Sequence, residues 1–394
     1  MANDITASGS FLFGALNAVN QMAFQGRVSA GAVIAFGALL TFCWWAVSYT
    51  HLDVYKRQPR ALVAVYSAQG CAATGAQASF FARFVLYCKQ KVEYRGKGEG
   101  TMEYLLENEF LQAAVSSQGA ELVSIRDKAA GRELMWQADA GVWGRHAPIL
   151  FPYCGRLRGG AFTHRGVRYE GGQHGFARDM EHALVEKDEA HVSLCLEANV
   201  LTMEKFPFAF RLVNTYSLEG CSVVHHVQVE NQSGEDMPFS FGYHPGFACP
   251  FDAAHGTQDY VLRFSSPQTP TVVEVDEASG LVTGGTHTLF ENGTDIPLTD
   301  HLFDHDSICL KGLTADTLSL VETGTGRGIS VDITGFPYVL VWSVKGPVRF
   351  VCIEPWHGLP DSAGATGEWL EKPATVHLAP DESWGTQLRM AFQL

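Results

Sequence analysis

Residues 208–234 read FAFRLVNTYSLEGCSVVHHVQVENQSG. Apolar and polar residues alternate through 208–220, stop at Glu219-Gly220, and alternate again through 222–234. A two-residue period sends successive side chains to opposite faces, as in a half-buried strand. A glycine-bearing break between two such runs marks a turn. The rhythm continues outward through HVSLCLEANV (191–200), LSLVETGTGRGISVDITG (318–335) and YVLVWSVKGPVRFVCIE (338–354). Polar and glycine clusters at 233–236 and 324–328 separate the runs. The second cluster lies between strands and opens no helix, so it reads as a hairpin turn and not as a phosphate loop. With no helix-period segment of useful length and no short repeat, residues 102–394 predict an all-β fold, a large antiparallel sandwich.

The chain has 394 residues, 46% of them apolar and 18% charged, enough for a large core. Its net charge of −14 argues against nucleic acid as a partner. That charge is uneven: residues 1–101 carry nine Lys/Arg and four Asp/Glu, whereas 102–394 carry 19 and 38. Such asymmetry predicts two parts of different origin or role. Nine cysteines form no CxxC pair, which suits a reduced, cytoplasmic compartment and argues against a disulfide framework or structural zinc.

Residues 1–101 read as a non-native N-terminal extension. VSAGAVIAFGALLTFCWWAV (28–47) is uncharged and long enough to span a bilayer, so a genuine segment there would anchor the protein in a membrane. SYTHLDVYKRQ (48–58) resembles a translated sequencing adapter. RGKGEG (95–100) contains only residues that purine codons encode, and it resembles a translated ribosome-binding site just ahead of Met102. A flexible charged linker has the same composition.

Four short stretches set polar residues among apolar or glycine-rich neighbours. FPYCGRLRGG (151–160) offers Arg156, GGQHGFARD (171–179) His174 and Arg178, and FSFGYHPGF (239–247) His244. VCIEPWHGLPD (351–361) offers Glu354, with His357 and Asp361 nearby. Pro245 and Gly246 end the apolar run behind His244, which places that ring at a strand end. Glu354 follows the apolar FVCI, and an unpaired carboxylate there is expensive. It is therefore either functional or bridged to a cation such as Arg156.

Together QHGFARD, HPGF, GFPYVLVW and CIEPW, in this order and spacing, resemble the aldose 1-epimerase (galactose mutarotase-like) family, and within it the LacX-type group, over 102–394. The resemblance implies an antiparallel β-supersandwich and an isomerase that interconverts the α and β anomers of an aldohexose. It implies Glu354 as the base and His244 as the acid of ring opening, with His174, Arg156 and Asp306 binding the sugar. Asp304, two residues from Asp306, is the alternative register. No cofactor or metal is implied; the partner is a small aldose, with no nucleic acid and, for 102–394, no membrane. Two departures fall near the implied pocket: His357 where tyrosine is common, and Gly246 where alanine is.

Three rivals remain: a sugar-binding protein without turnover, a glycoside hydrolase pairing Glu354 with Asp306, and a hexose-6-phosphate epimerase using Arg156, Arg158 and Arg178. Arg158, just before Gly159-Gly160, is expected at a hairpin tip facing solvent.

Overall fold

A computed structural model describes residues 101–393. The expectations for 28–47, 48–58 and the N-terminal extension as a whole lie outside the described residues. Within them, strands dominate, and the single α-helical turn is Val200–Met203. No helix among the described residues is long and apolar enough to cross a membrane.

The hairpin expected at 208–234 forms as Phe210–Glu219 paired antiparallel with Ser222–Asn231. Phe210, Leu212, Asn214, Tyr216 and Leu218 are buried and their neighbours less so, the alternation that the sequence carries. These strands sit within a nine-stranded antiparallel sheet. Its order is Gly293–Pro297, Tyr260–Gln268, Thr317–Glu322, Gly328–Asp332, Ser383–Gln393, Ser222–Asn231, Phe210–Glu219, His191–Glu197, Ala183–Lys187. The 324–328 cluster is the expected hairpin turn between Thr317–Glu322 and Gly328–Asp332.

A second large sheet runs Val282–Thr288, Thr271–Val275, Ile308–Lys311, Tyr338–Trp342, Phe350–His357, Phe241–Tyr243, Ile149–Leu150. One continuous core takes side chains from both sheets: Leu212, Val229, Leu320 and Leu388 from the first, Val339, Val341, Val351 and Ile353 from the second. This is the expected supersandwich.

One expected run ends early and another divides in two. The strand beginning at His191 stops at Glu197, because the Asn199 side chain accepts hydrogen bonds from Leu201 N and Thr202 N and starts the helical turn. The run 338–354 splits into Tyr338–Trp342 and Phe350–His357. Gly346 takes φ 102°, and Pro347 beside it has no N–H for the ladder.

Candidate active site

Backbone register brings His244 and Glu354 together. Gly242 pairs with Trp356, and Gly246 pairs with Cys352, both across to the strand Phe350–His357. Two steps from each pairing leads to the same place, His244 opposite Glu354. Pro245 breaks the ladder there, so the strand is interrupted and the imidazole projects from the gap. His244 Nε2 lies 3.3 Å from Glu354 Oε2, with 7% of His244 and 2% of Glu354 exposed.

Proximity does not make this an ion pair. Burial, and after it the Asp306 carboxylate, holds the Glu354 carboxyl well above the usual carboxylate range. Burial, and after it the Arg178 guanidinium, pushes His244 down to about 3. Both shifts favour the uncharged forms of the pair, a protonated carboxyl beside a neutral ring. Glu354 Oε2 and His244 Nδ1 have no hydrogen-bond partner among the described residues. Buried polar atoms of that kind are uncommon and costly, and they suit a site completed by a ligand's hydroxyl groups.

His174 stands at right angles to His244, with ring centres 5.7 Å apart. Its N–H donates to Gly155 O, and its Nδ1 accepts from Gly155 N at 3.0 Å. The neutral ring therefore carries its proton on Nε2, as a donor. Burial first, and then the His244 ring, hold His174 well below the ordinary histidine value, so it stays neutral. Gly175 behind it has φ 72°, and a Cβ there would sit 2.1 Å from Phe151 O, which only glycine avoids. Arg178 Nη2 donates to Gln173 O at 2.7 Å and fixes the same loop.

Arg156 and Asp306 line two separate hollows, and their charges bear on His174 and on Glu354 respectively. Arg156 lines a cleft of about 500 Å³ with Gln173, Ser279 and Leu281, its Nη1 near Ser279 O. Asp306, at φ 73°, lines a second hollow of about 260 Å³ with Glu277 and Trp342. Asp304 is paired with His301 at 2.9 Å, whereas Asp306 forms no ion pair among the described residues. The bridge from Glu354 to Arg156 does not form.

Some expectations are corrected. His357 does not face the site: three steps along the strand from Glu354 turn it to the opposite face, where it meets Thr386, Phe336 and Trp384. Arg158 is not at a hairpin tip. It begins the 3₁₀ turn Arg158–Gly160, with its N–H donating to Asp361 and Nη1 to Ala365 O. Trp356 needed no correction: its position among the apolar residues of 351–356 suits a core role, and it is 3% exposed, donates to Tyr243 O and backs His174.

Two features escaped sequence reasoning. Trp143 stacks on His244 with ring centres 5.0 Å apart, while Trp342 meets the same ring edge-on at 5.7 Å. Gly246 makes room for that stack, since a Cβ there would lie 2.7 Å from the Trp143 ring. Lys372 forms a buried pair with Asp361 at 2.6 Å and also donates to Leu359 O. It ties the end of the Trp369–Glu371 turn to the loop after the Glu354 strand, and Asp361 in that loop meets the turn that bears Arg156, donating its N–H to Arg156 O and accepting from Arg158 N. Trp143 had a weak signal, a tryptophan before the polar Gly144-Arg145-His146; Lys372 had none.

Among the described residues, two groups bring three metal-type donors within 4.8 Å: His244, Cys352 and Glu354, and Asp252, His255 and Glu322. In the second, Arg327 already bridges both carboxylates at 2.7 Å, so it is an ion-pair network.

A family model described as aldose 1-epimerase matches residues 102–391. The plasmid-encoded protein LacX of Lactococcus lactis subsp. lactis is 33% identical over 282 residues, which cover 70% of this chain and 94% of that protein. Among solved structures, a galactose mutarotase related enzyme from Lactobacillus acidophilus superposes with a TM-score of 0.71 at 29% identity, covering 74% of this chain and 98% of that one. A galactose mutarotase-like protein from Lactobacillus casei gives 0.69 at 30% identity, covering 74% of this chain and all (100%) of that one.

Proposed function

The chain belongs to the aldose 1-epimerase family, and on that premise we propose that it interconverts the α and β anomers of a neutral aldohexose, with Glu354 and His244 exchanging protons with the sugar. The observation that carries this reading is the buried pair at 3.3 Å with an unpartnered atom on each member.

Ring opening needs a base at the anomeric hydroxyl and an acid at the ring oxygen. The working pair is the carboxylate of Glu354 and the imidazolium of His244. It contains the same single proton as the uncharged pair, moved from carboxyl to ring. Sugar hydroxyls donating to Glu354 favour that arrangement by solvating the carboxylate. Glu354 then removes the O1 proton as His244 protonates O5, and the C1–O5 bond breaks to give the open aldehyde. The pair is now carboxylic acid and neutral imidazole, the forms that burial favours. The charge of Arg178 eases loss of the His244 proton. Rotation about C1–C2 turns the aldehyde, and the same transfers in reverse close the ring from its other face. Each such transfer contributes roughly 10²–10⁴-fold. His174 Nε2–H, Arg156 and Asp306 are the proposed sugar-binding groups.

The choice of a neutral sugar rests on the three arginines. Arg156, Arg158 and Arg178 each donate to a different backbone carbonyl, those of Ser279, Ala365 and Gln173. A phosphate would call for cations converging on one point. Polarimetry of fresh α-glucose, α-galactose and α-glucose 6-phosphate, corrected for spontaneous mutarotation, tests the reading. Faster decay with a neutral sugar is the expected result. A clear preference for the phosphate would move the chain to hexose-phosphate epimerisation, and no acceleration with any of them would make it a binding protein.

A further inference from the structure

Cys352 and Glu354 are two residues apart on one strand, so both side chains leave the same face of the sheet. His244 meets them from the interrupted strand opposite. One donor atom from each lies within 4.8 Å of the others, and all three residues are buried. His244 Nε2 and Glu354 Oε2 are already 3.3 Å apart, the spacing that two donors about 2 Å from one ion adopt. The proposed sugar chemistry uses the carboxylate and the ring; it leaves the thiol without a role.

We propose that His244, Cys352 and Glu354 form an inhibitory site for a thiophilic divalent cation, such as zinc, which on binding blocks the sugar reaction. That this inhibits mutarotation rests on the function proposed above; the metal site itself does not. A thiol, an imidazole and a carboxylate form a donor set that favours zinc or cobalt over magnesium or calcium. Charge favours capture as well. The cation binds one thiolate, one carboxylate and one neutral imidazole, giving a complex with no net charge in a site where net charge is costly. From the carboxylic acid and thiol, binding releases two protons, one from Glu354 and one from Cys352. Both the thiol and the carboxyl must lose a proton to bind, so affinity rises with pH.

The test uses the full chain and cobalt chloride, because a thiolate bound to cobalt gives a near-ultraviolet charge-transfer band. The exposed His–carboxylate pairs at His287–Glu274 and His301–Asp304 contain no sulfur and cannot produce it. The band is expected in the parent protein, with release of close to two protons per ion and at least roughly tenfold slower mutarotation, reversed by a chelator. Cys352→Ala should lose the band and the inhibition together. Its cobalt affinity should fall by more than the roughly 10–100-fold that loss of an outer-shell partner costs. His244→Asn, which retains the thiol, should also lose the band. Cys309→Ala, removing another buried thiol, should keep it. Absence of the band from the parent, its persistence in Cys352→Ala, or its loss in Cys309→Ala would overturn the inference. A band that follows the expected pattern in a protein without mutarotation would support the metal site and overturn the catalytic reading.

Discussion

Replacing Lys372 by Met should cost about 3 kcal/mol of stability, and most of that cost should be recoverable. Lys372 Nζ lies 2.6 Å from Asp361 Oδ1, with only 3% and 5% of their side chains exposed. Removing one partner of such a pair leaves a buried charge uncompensated, at a cost of roughly 3–5 kcal/mol. The low end applies here because Asp361 Oδ2 still accepts from Arg158 N at 2.9 Å. Methionine fills the space of the lysine stem, so cavity formation adds little. Asp361→Asn in the Lys372→Met background removes the stranded charge. The double variant should therefore be more stable than the single Lys372→Met variant, with a coupling of roughly 1–3 kcal/mol. Urea unfolding followed by tryptophan fluorescence, analysed as a double-mutant cycle, measures both quantities. A Lys372→Met cost below about 1 kcal/mol, the range of exposed pairs, would refute the reasoning. So would strict additivity.

Two further outcomes follow from the same geometry. Burial lowers His182 and His357 to about 4 and His244 to about 3. Below a pH of about 6.5 the unfolded chain binds protons that these folded rings refuse, so stability falls as pH drops from there toward 4, by up to about 1.4 kcal/mol per pH unit for each ring. Urea midpoints across this range should show the slope, and His357→Gln should reduce it. Gly246→Ala drives a Cβ against the Trp143 ring; a loss of roughly 1–3 kcal/mol is expected, largely restored by Trp143→Leu. Thermal unfolding of the three proteins checks this, and an unaffected Gly246→Ala variant would show that the ring is not held there.

The sequence made the strands legible wherever one face is buried and the other is not. The 208–234 hairpin is the clearest case, because its alternation and its Glu219-Gly220 break are both local. Strand ends were less legible. The stop at Glu197 depends on the Asn199 cap, and the 338–354 run hides a break at Gly346-Pro347. The residues of the site were named by resemblance, but their meeting depends on register. Gly242–Trp356 and Gly246–Cys352 place His244 beside Glu354, and no local pattern encodes that pairing. His357 was misread because nearness in sequence to Glu354 was taken for nearness in space, against the two-residue period. Trp143 and Lys372 come from distant segments, 101 and 128 residues from His244, and only the folded chain shows what they touch.

The most direct test of the central claim is two-dimensional exchange NMR of equilibrated galactose, with the α and β anomeric signals followed at catalytic protein concentration. Cross-peaks between the anomers grow at the interconversion rate and need no net change in composition. The parent protein should give exchange well above the protein-free rate. Glu354→Gln keeps the shape of the side chain and removes the base, and His244→Asn removes the acid; each should reduce the enzymatic exchange by roughly 100-fold or more. Line broadening of the sugar signals should show that both variants still bind it. Exchange at the parent rate in both variants would contradict the account, because the proton transfers would then belong to other groups.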